Sequence, residues 1–344
     1  MERATRKTVE LLEGAVTLNL LVNERSGHVA YVVWPSTYHV AAFLAVLALE
    51  PQSLAVSLED AGALARAAQR LLSQDSKTRR QLFSEARRRE VLRSVDVLEL
   101  GSGTGVLGLG LHALGARVVM TDQAKCFELL AENVRMSRVR PASSREAGTL
   151  RCMPLDWKEW STSSLQNFGD DTFSSPTDGN DVDDAADAAG TQPAETHLTA
   201  VQRRCQLLVA CDCVYDTSHI GHSPLIPIIR SFIYKRMCED PAVAAAVAAG
   251  GDRKGSGSRF ALIGIETRDS DIESDFEYQL ATAGLKVLVA FEAPCPCPSE
   301  GNDTPPEEAK YRILVVTEKA ADEVEAMGVG ARMAPVEVGP TDSS

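Results

Sequence analysis

The chain has 344 residues, 44% of them hydrophobic and 24% charged, an ordinary balance for a globular protein with a sizeable core. Its net charge of −13 argues against non-specific attachment to nucleic acid or to an anionic membrane surface. No stretch reaches the ~18–20 apolar residues of a membrane span, and MERATRKTVELLEG has no hydrophobic signal core, so an intracellular protein with reduced thiols is expected.

In chain order, TLNLLV (17–22) and VAYVVW (29–34) read as two short strands around the turn residues Asn23, Ser26 and Gly27, an N-terminal β-hairpin. Apolar groups at helical spacing follow over 37–49. Residues 60–93 read as two helices, the second (77–93) markedly basic and taken as a solvated face. From 95 the pattern alternates. VDVLEL (95–100) is a strand buried on both faces, followed by a Gly-rich turn, a helix over 105–115, the strand RVVMTD (117–122) and a helix over 124–137. TLRCMPLDW (149–157) and LLVACDCVYD (207–216) are the third and fourth strands with their exits. Between them, 161–200 holds eight acids and no Lys or Arg, leaving −5 for the rest of the chain. Its polar composition predicts a disordered insertion. A helix over 223–238, an Ala/Gly-rich insertion at 240–258, the strand FALIGIE (260–266) and a helix over 272–283 follow. LKVLVAFE (285–292) and YRILVVTE (311–318) have no clear helix between them, which predicts an antiparallel pair.

The expected architecture is α/β: a doubly wound, Rossmann-like sheet of seven mostly parallel strands with one antiparallel strand near its edge. The expected division is an N-terminal hairpin and helical extension (1–94), a catalytic domain (95–319) and a tail (320–344).

The Gly-rich turn carries the chemistry. Gly101, Gly103 and Gly105 lie between a buried strand and a helix, where a backbone without Cβ can turn sharply and a ligand can approach helix N–H groups. Asp122 ends the next strand, 21 residues after Gly101, where a carboxylate can accept from both hydroxyls of a ribose. Together these point to an adenosine-containing cofactor. Gly103, Gly105 and Gly108 also satisfy G-x-G-x-x-G, so NAD is one candidate. Glu99 favours instead a ligand with a cationic amino-acid end, since a carboxylate sits poorly beside a pyrophosphate. Asp156-Trp157 is placed to meet an adenine, by stacking and by accepting from its amine.

Five segments resemble the seven-β-strand (class I) methyltransferases, and within them the family-sixteen protein lysine methyltransferases. They are VVWPSTYHVAAFL (32–44), VLELGSGTGVLGL (97–109), VVMTD (118–122), LDW (155–157) and ACDCVYD (210–216). The resemblance implies S-adenosyl-L-methionine as cofactor. It implies that Trp34 borders it, that Glu99, Gly101, Ser102 and Gly103 line its amino-acid end, and that Asp122 holds the ribose. Trp157 and Cys211 would contact the adenosine; the family usually has Ala where Cys211 stands. Asp212 and Tyr215, the D-x-x-Y run after the fourth strand, would orient the acceptor amine as catalytic candidates. Glu266-Thr267-Arg268 is a second substrate-side candidate, or simply the surface end of a strand. The implied substrate is a lysine of a chaperone or translation factor, and the implied protein is a monomer of the cytoplasm, with the nucleus as a further compartment. Nucleic acid, membrane and metal are not expected as partners. Neither the six His nor the Cys211/Cys213 and Cys295/Cys297 pairs have metal spacing, and Cys126, Cys152, Cys205 and Cys211 read as small core residues. The competing readings are a methyltransferase for small molecules or nucleic acid, a non-catalytic binding module of the same fold, and an NAD-dependent oxidoreductase.

Overall fold

The structure is a computed structural model and describes residues 4–23, 29–49, 61–93, 95–137, 150–159, 207–214, 223–234, 259–267, 270–294 and 310–319. The insertions expected at 161–200 and 240–258, the tail, Tyr215, Arg268, Cys205 and the Cys295/Cys297 pair lie outside the described residues.

Alternation of side chains organises the sheet. Strands β3 (Asp96–Leu100), β4 (Arg117–Asp122), β5 (Leu150–Pro154), β6 (Leu207–Cys211), β7 (Phe260–Glu266), β8 (Leu285–Pro294) and β9 (Lys310–Glu318) form one seven-stranded sheet, ordered β5-β4-β3-β6-β7-β9-β8. Neighbours from β5 to β7 are parallel, whereas β9 runs antiparallel to both β7 and β8. Val97, Val118, Met120, Val209 and Leu262 point to one face, while Leu98, Leu100, Val119, Leu208 and Ala261 point to the other. Each strand is therefore apolar along its length yet feeds two separate cores.

The first face is covered by α4 (Val106–Ala113), α5 (Ala124–Met136) and the N-terminal segment; the second is covered by α6 (Leu225–Tyr234) and α7 (Ser270–Thr282). Helix α1 (Ser36–Ala48) packs against α2 (Ala61–Ser73), α3 (Ser76–Arg89), α4 and β7. The basic α3 is capped by Asp75, whose carboxylate accepts the Thr78 N–H at 2.9 Å.

The N-terminal hairpin is present, and TLNLLV (17–22) is one of its strands, but its partner is an earlier segment than the sequence pattern suggests. Its strands are β1 (Thr5–Leu11) and β2 (Val16–Val22), closed by the pair Leu11 and Val16. Only Val9 and Leu11 of β1 are buried, so its alternation is hidden among exposed Arg6, Lys7 and Thr8. Val29–Tyr31, expected as the second strand, is a turn of 3-10 helix joined to β2 by one bond, Asn23 N–H to Tyr31 O at 3.0 Å. The run VAYVVW is apolar because it walls a cavity, not because it pairs in a sheet.

Candidate active site

Parallel strands that diverge from a common centre open a crevice at their carboxyl ends where the strand order reverses. Here that point lies between β3 and β6, and a cavity of about 280 Å³ fills it. It draws on the ends of β3, β4 and β6, on Trp157 three residues beyond β5, and on the segment leading into α1.

The glycine loop forms its floor. Gly101, Gly103 and Gly105 all have left-handed φ, +63°, +54° and +83°, a conformation that favours glycine. Space forbids side chains there as well. A Cβ on Gly101 would lie 2.8 Å from Cys213 Sγ and 3.1 Å from the Trp157 ring, and one on Gly103 would lie 2.9 Å from Ala30 O. The loop is anchored to β4 twice: Ser102 N–H donates to Thr121 O at 2.9 Å, and Thr121 N–H donates to Ser102 Oγ at 3.1 Å.

Asp122 is 7% exposed and accepts the N–H of Gly103 and of Gln123, each at 2.7 Å. Its carboxylate thus shapes the loop. With about four acceptor sites, a carboxylate can make such bonds and still accept from ligand hydroxyls.

Glu99 is the unusual group. It is 3% exposed, on the first face of β3, between Met120 of β4 and Val209 of β6 in register. Burial, reinforced by the nearby Asp122 charge and opposed by the Ser102 hydroxyl, pushes its carboxyl up to about 8. Its Oε2 is buried and has no hydrogen-bond partner among the described residues. Gly108 is part of the reason this acid fits: a Cβ there would lie 2.5 Å from Glu99 Oε2 and 2.4 Å from Met120 Sδ. Gly108 thus serves helix–strand packing and does not line the cavity, which removes it from a phosphate-binding role.

Asp212 follows β6 with φ +51°. Its Oδ2 accepts from Ser36 Oγ at 2.5 Å, its Oδ1 accepts from Glu266 N–H at 2.9 Å, and its own N–H donates to Gly264 O at 2.8 Å. Three thiols face the same space. Cys126 is pushed up to about 12, and Cys211 and Cys213 are pushed well up, in each case chiefly by burial and then by the neighbouring carboxylates. Protonated thiols are poor nucleophiles.

The structure brings Trp34, Glu99, Gly101, Ser102, Gly103, Asp122, Trp157, Cys211 and Asp212 to this one cavity. It does not bring Asp156, which accepts the Lys158 N–H at 3.0 Å in the turn beyond β5. Of the second substrate-side candidate, Glu266 contributes its N–H to Asp212, and Thr267 Oγ1 donates to Glu273 at 3.1 Å. Sequence reasoning missed three contributors. Ser36 was hidden inside W-P-S. Cys213 was passed over in its C-x-C pair. Asn133, fully buried, holds Leu21 N–H (2.6 Å), Leu21 O (3.0 Å) and Thr104 O (2.9 Å), tying β2 to the glycine loop. Asn133 sits on the Cys126–Leu130 stripe of α5, where a polar residue at an apolar position was the available signal.

Among the described residues, the lining holds three acids, Glu99, Asp122 and Asp212, and one base, Lys125. An orphaned buried carboxylate oxygen and a loop that admits no side chains fit an adenosine ligand with a cationic end. Among the described residues, no group of three His, Cys, Asp or Glu is arranged to hold a metal, and no helix is long and apolar enough to cross a membrane.

Sheet order, glycine loop and acid-lined crevice define a class I, S-adenosylmethionine-dependent methyltransferase. More narrowly, residues 15–168, just under half of the chain, match the lysine methyltransferase family. The matched stretch contains Trp34, the glycine loop, Asp122 and Trp157; Cys211 and Asp212 lie beyond it. Among solved structures, a TehB-like SAM-dependent methyltransferase from Corynebacterium glutamicum is 14% identical, with 68% of this chain and 88% of that one covered, at TM-score 0.34. A putative RNA methyltransferase from Pyrococcus horikoshii is 13% identical (84% and 99% covered, TM-score 0.36). A putative SAM-dependent methyltransferase from Streptococcus mutans is 10% identical (92% and 56% covered, TM-score 0.38). The class rests on the family match and the sheet order, not on these alignments.

Proposed function

We propose that this methyltransferase transfers the methyl group to a lysine side chain of a protein. The observation that carries the acceptor is the match of residues 15–168 to the lysine methyltransferase family. The D-C-V-Y run at 212–215, rather than N-P-P-Y, also suits an amine outside a nucleobase or amide.

When bound, S-adenosylmethionine supplies an activated methyl group. Trp34 and Trp157 would enclose it, Glu99 and the 101–103 loop would face its amino-acid end, and Asp122 would take the ribose. Alignment of donor and acceptor in a dry pocket is the main contribution such a site makes. A lysine acceptor must arrive deprotonated, against a reference pKa of about 10.4, and desolvation at the crevice favours that form. Asp212, with its carboxylate fixed by Ser36 and the Glu266 N–H, is the group that orients the amine. The net charge and the acid-lined cavity oppose a nucleic-acid acceptor. A chaperone or translation factor met in the cytoplasm by a monomeric enzyme is the acceptor class this reading favours.

The test is incubation of the full chain with radiolabelled donor and cell lysate, followed by mass spectrometry. Methylated lysine in a labelled protein is the expected result. Label in RNA or in a metabolite, with none in protein, would overturn the acceptor.

A further inference from the structure

Ser36 opens α1, two residues after Trp34, and is 1% exposed. Trp34 and Thr37 line the cavity, but Ser36 does not. Its hydroxyl points instead at Asp212 Oδ2, 2.5 Å away, within the range of a hydroxyl bonded to a carboxylate. The first turn of α1 is held close to β7 there: a Cβ on Gly264 would lie 2.7 Å from Val40 Cγ2 and 3.4 Å from Ser36 Cβ. Asp212 is in turn clamped from β7 through its Oδ1 and its N–H, and its backbone keeps the left-handed φ of +51° that a non-glycine residue rarely adopts. A strained backbone with both carboxylate oxygens bonded, from two different elements, is a built arrangement.

We propose that Ser36 is a positioning residue: its hydroxyl fixes the plane of the Asp212 carboxylate that faces the acceptor. The proposal rests on the reading of Asp212 as the group that orients the acceptor amine. Without the Ser36 bond at Oδ2, the carboxylate loses one of its anchors and is freer to turn about its terminal torsion, which is broad and roughly two-fold by nature. A misplacement of about 1 Å at a reacting centre costs up to ~100-fold in rate. Ser36 therefore acts on turnover through its hydroxyl without itself lining the donor cavity, unlike its neighbours Trp34 and Thr37.

The experiment compares full-length wild type, Ser36→Ala, Ser36→Thr, Asp212→Ala and the double variant Ser36→Ala/Asp212→Ala. It records the initial rate of radiolabel entering lysate protein at saturating donor, and S-adenosylhomocysteine affinity by calorimetry. Ser36→Ala loses about 10- to 100-fold in rate with product affinity within about twofold of wild type. Ser36→Thr, which keeps the hydroxyl, recovers most of the rate. The double variant is no slower than Asp212→Ala, because Ser36 acts only through Asp212. A Ser36→Ala protein at the wild-type rate overturns the proposal, and so do losses that multiply in the double variant. If Asp212→Ala labels protein as fast as wild type, the reading of Asp212 fails and the proposal fails with it. If wild type labels no protein, the lysine acceptor itself is wrong, and the proposal falls there instead.

Discussion

Glu99 makes ligand affinity depend on pH in a way that can be calculated. Its carboxyl is pushed up to about 8 by burial between Met120 and Val209. At pH 7 roughly one molecule in ten has it ionised, and at pH 6 roughly one in a hundred. A ligand whose ammonium needs the ionised form must first displace that proton. Its apparent affinity then falls about fiftyfold from pH 8 to pH 6, about 2.3 kcal/mol. Among the described residues no histidine lines the cavity, and the lining thiols Cys126, Cys211 and Cys213 are pushed upward, away from this window. The assay is calorimetric titration with S-adenosylhomocysteine at pH 6, 7 and 8, in two buffers of different ionisation heat. Nearly one proton should leave the complex per ligand at pH 7, and Glu99→Gln should bind more weakly with no proton release. Folding stability carries the opposite sign. A carboxyl whose folded pKa exceeds its unfolded value of 4.5 stabilises the fold below 4.5 and loses that contribution as pH rises through 8. Without ligand, Glu99→Gln should therefore lose less melting temperature than wild type between pH 5 and pH 8. Equal affinity at pH 6 and pH 8, with heats independent of buffer, would refute the account of Glu99.

Asn133→Ala leaves three backbone groups of Leu21 and Thr104 without their partner, at a cost of about 2–5 kcal/mol, read as a lower midpoint in urea. Gly108→Ala drives a methyl into Met120 and Glu99 and should cost about 1–3 kcal/mol, with weaker S-adenosylhomocysteine binding as the second readout. Asp122→Ala removes the acceptor of the Gly103 and Gln123 N–H groups together with the ribose contact; calorimetry should show at least a ~100-fold loss of affinity, and near-normal binding would remove Asp122 from the site.

The sheet was readable because its signals are local. Runs such as VDVLEL and RVVMTD are too apolar and too short for anything but strands buried on both faces, and the missing helix between β8 and β9 betrayed the antiparallel pair. Glu99, the glycines, Asp122, Trp157 and Asp212 were readable for a different reason: strand ends in this topology converge, so residues far apart in sequence meet by rule, whereas Trp34, Ser102 and Cys211 came from the family resemblance. What could not be read depends on contacts between distant segments. The VAYVVW run has the composition of a strand, and only its place against Gly103 and Lys125 makes it a wall; Tyr31 OH donates to Lys125 O at 3.1 Å. The Ser36–Asp212 bond spans 176 residues, and no local pattern announces it. Asp156 shows the converse: a local pattern offered it to the adenine, but it does not line the cavity, and its Oδ1 accepts the Lys158 N–H in the turn beyond β5.

The three acids decide which cofactor the glycine loop serves. They end three neighbouring strands, and each is held differently: Glu99 by an apolar setting, Asp122 by N–H groups of the loop itself, Asp212 by α1 and β7. At ~5 Å and an effective dielectric of about 20, each pairing of unit charges is worth about 3 kcal/mol. A pyrophosphate would meet that field as repulsion from Asp122 and Asp212, with Glu99 kept protonated beside it, Lys125 the one base among the described lining residues and Gly108 withdrawn beneath Glu99. A ligand carrying a sulfonium and an ammonium would meet it as attraction. The glycine spacing permits both ligands; the carboxylates around it favour the cation. The same count predicts that NAD binds less tightly than S-adenosylmethionine by several powers of ten. Glu99→Gln should narrow that gap by weakening the cationic ligand while leaving NAD nearly unchanged, which titration of the two ligands against both proteins would measure.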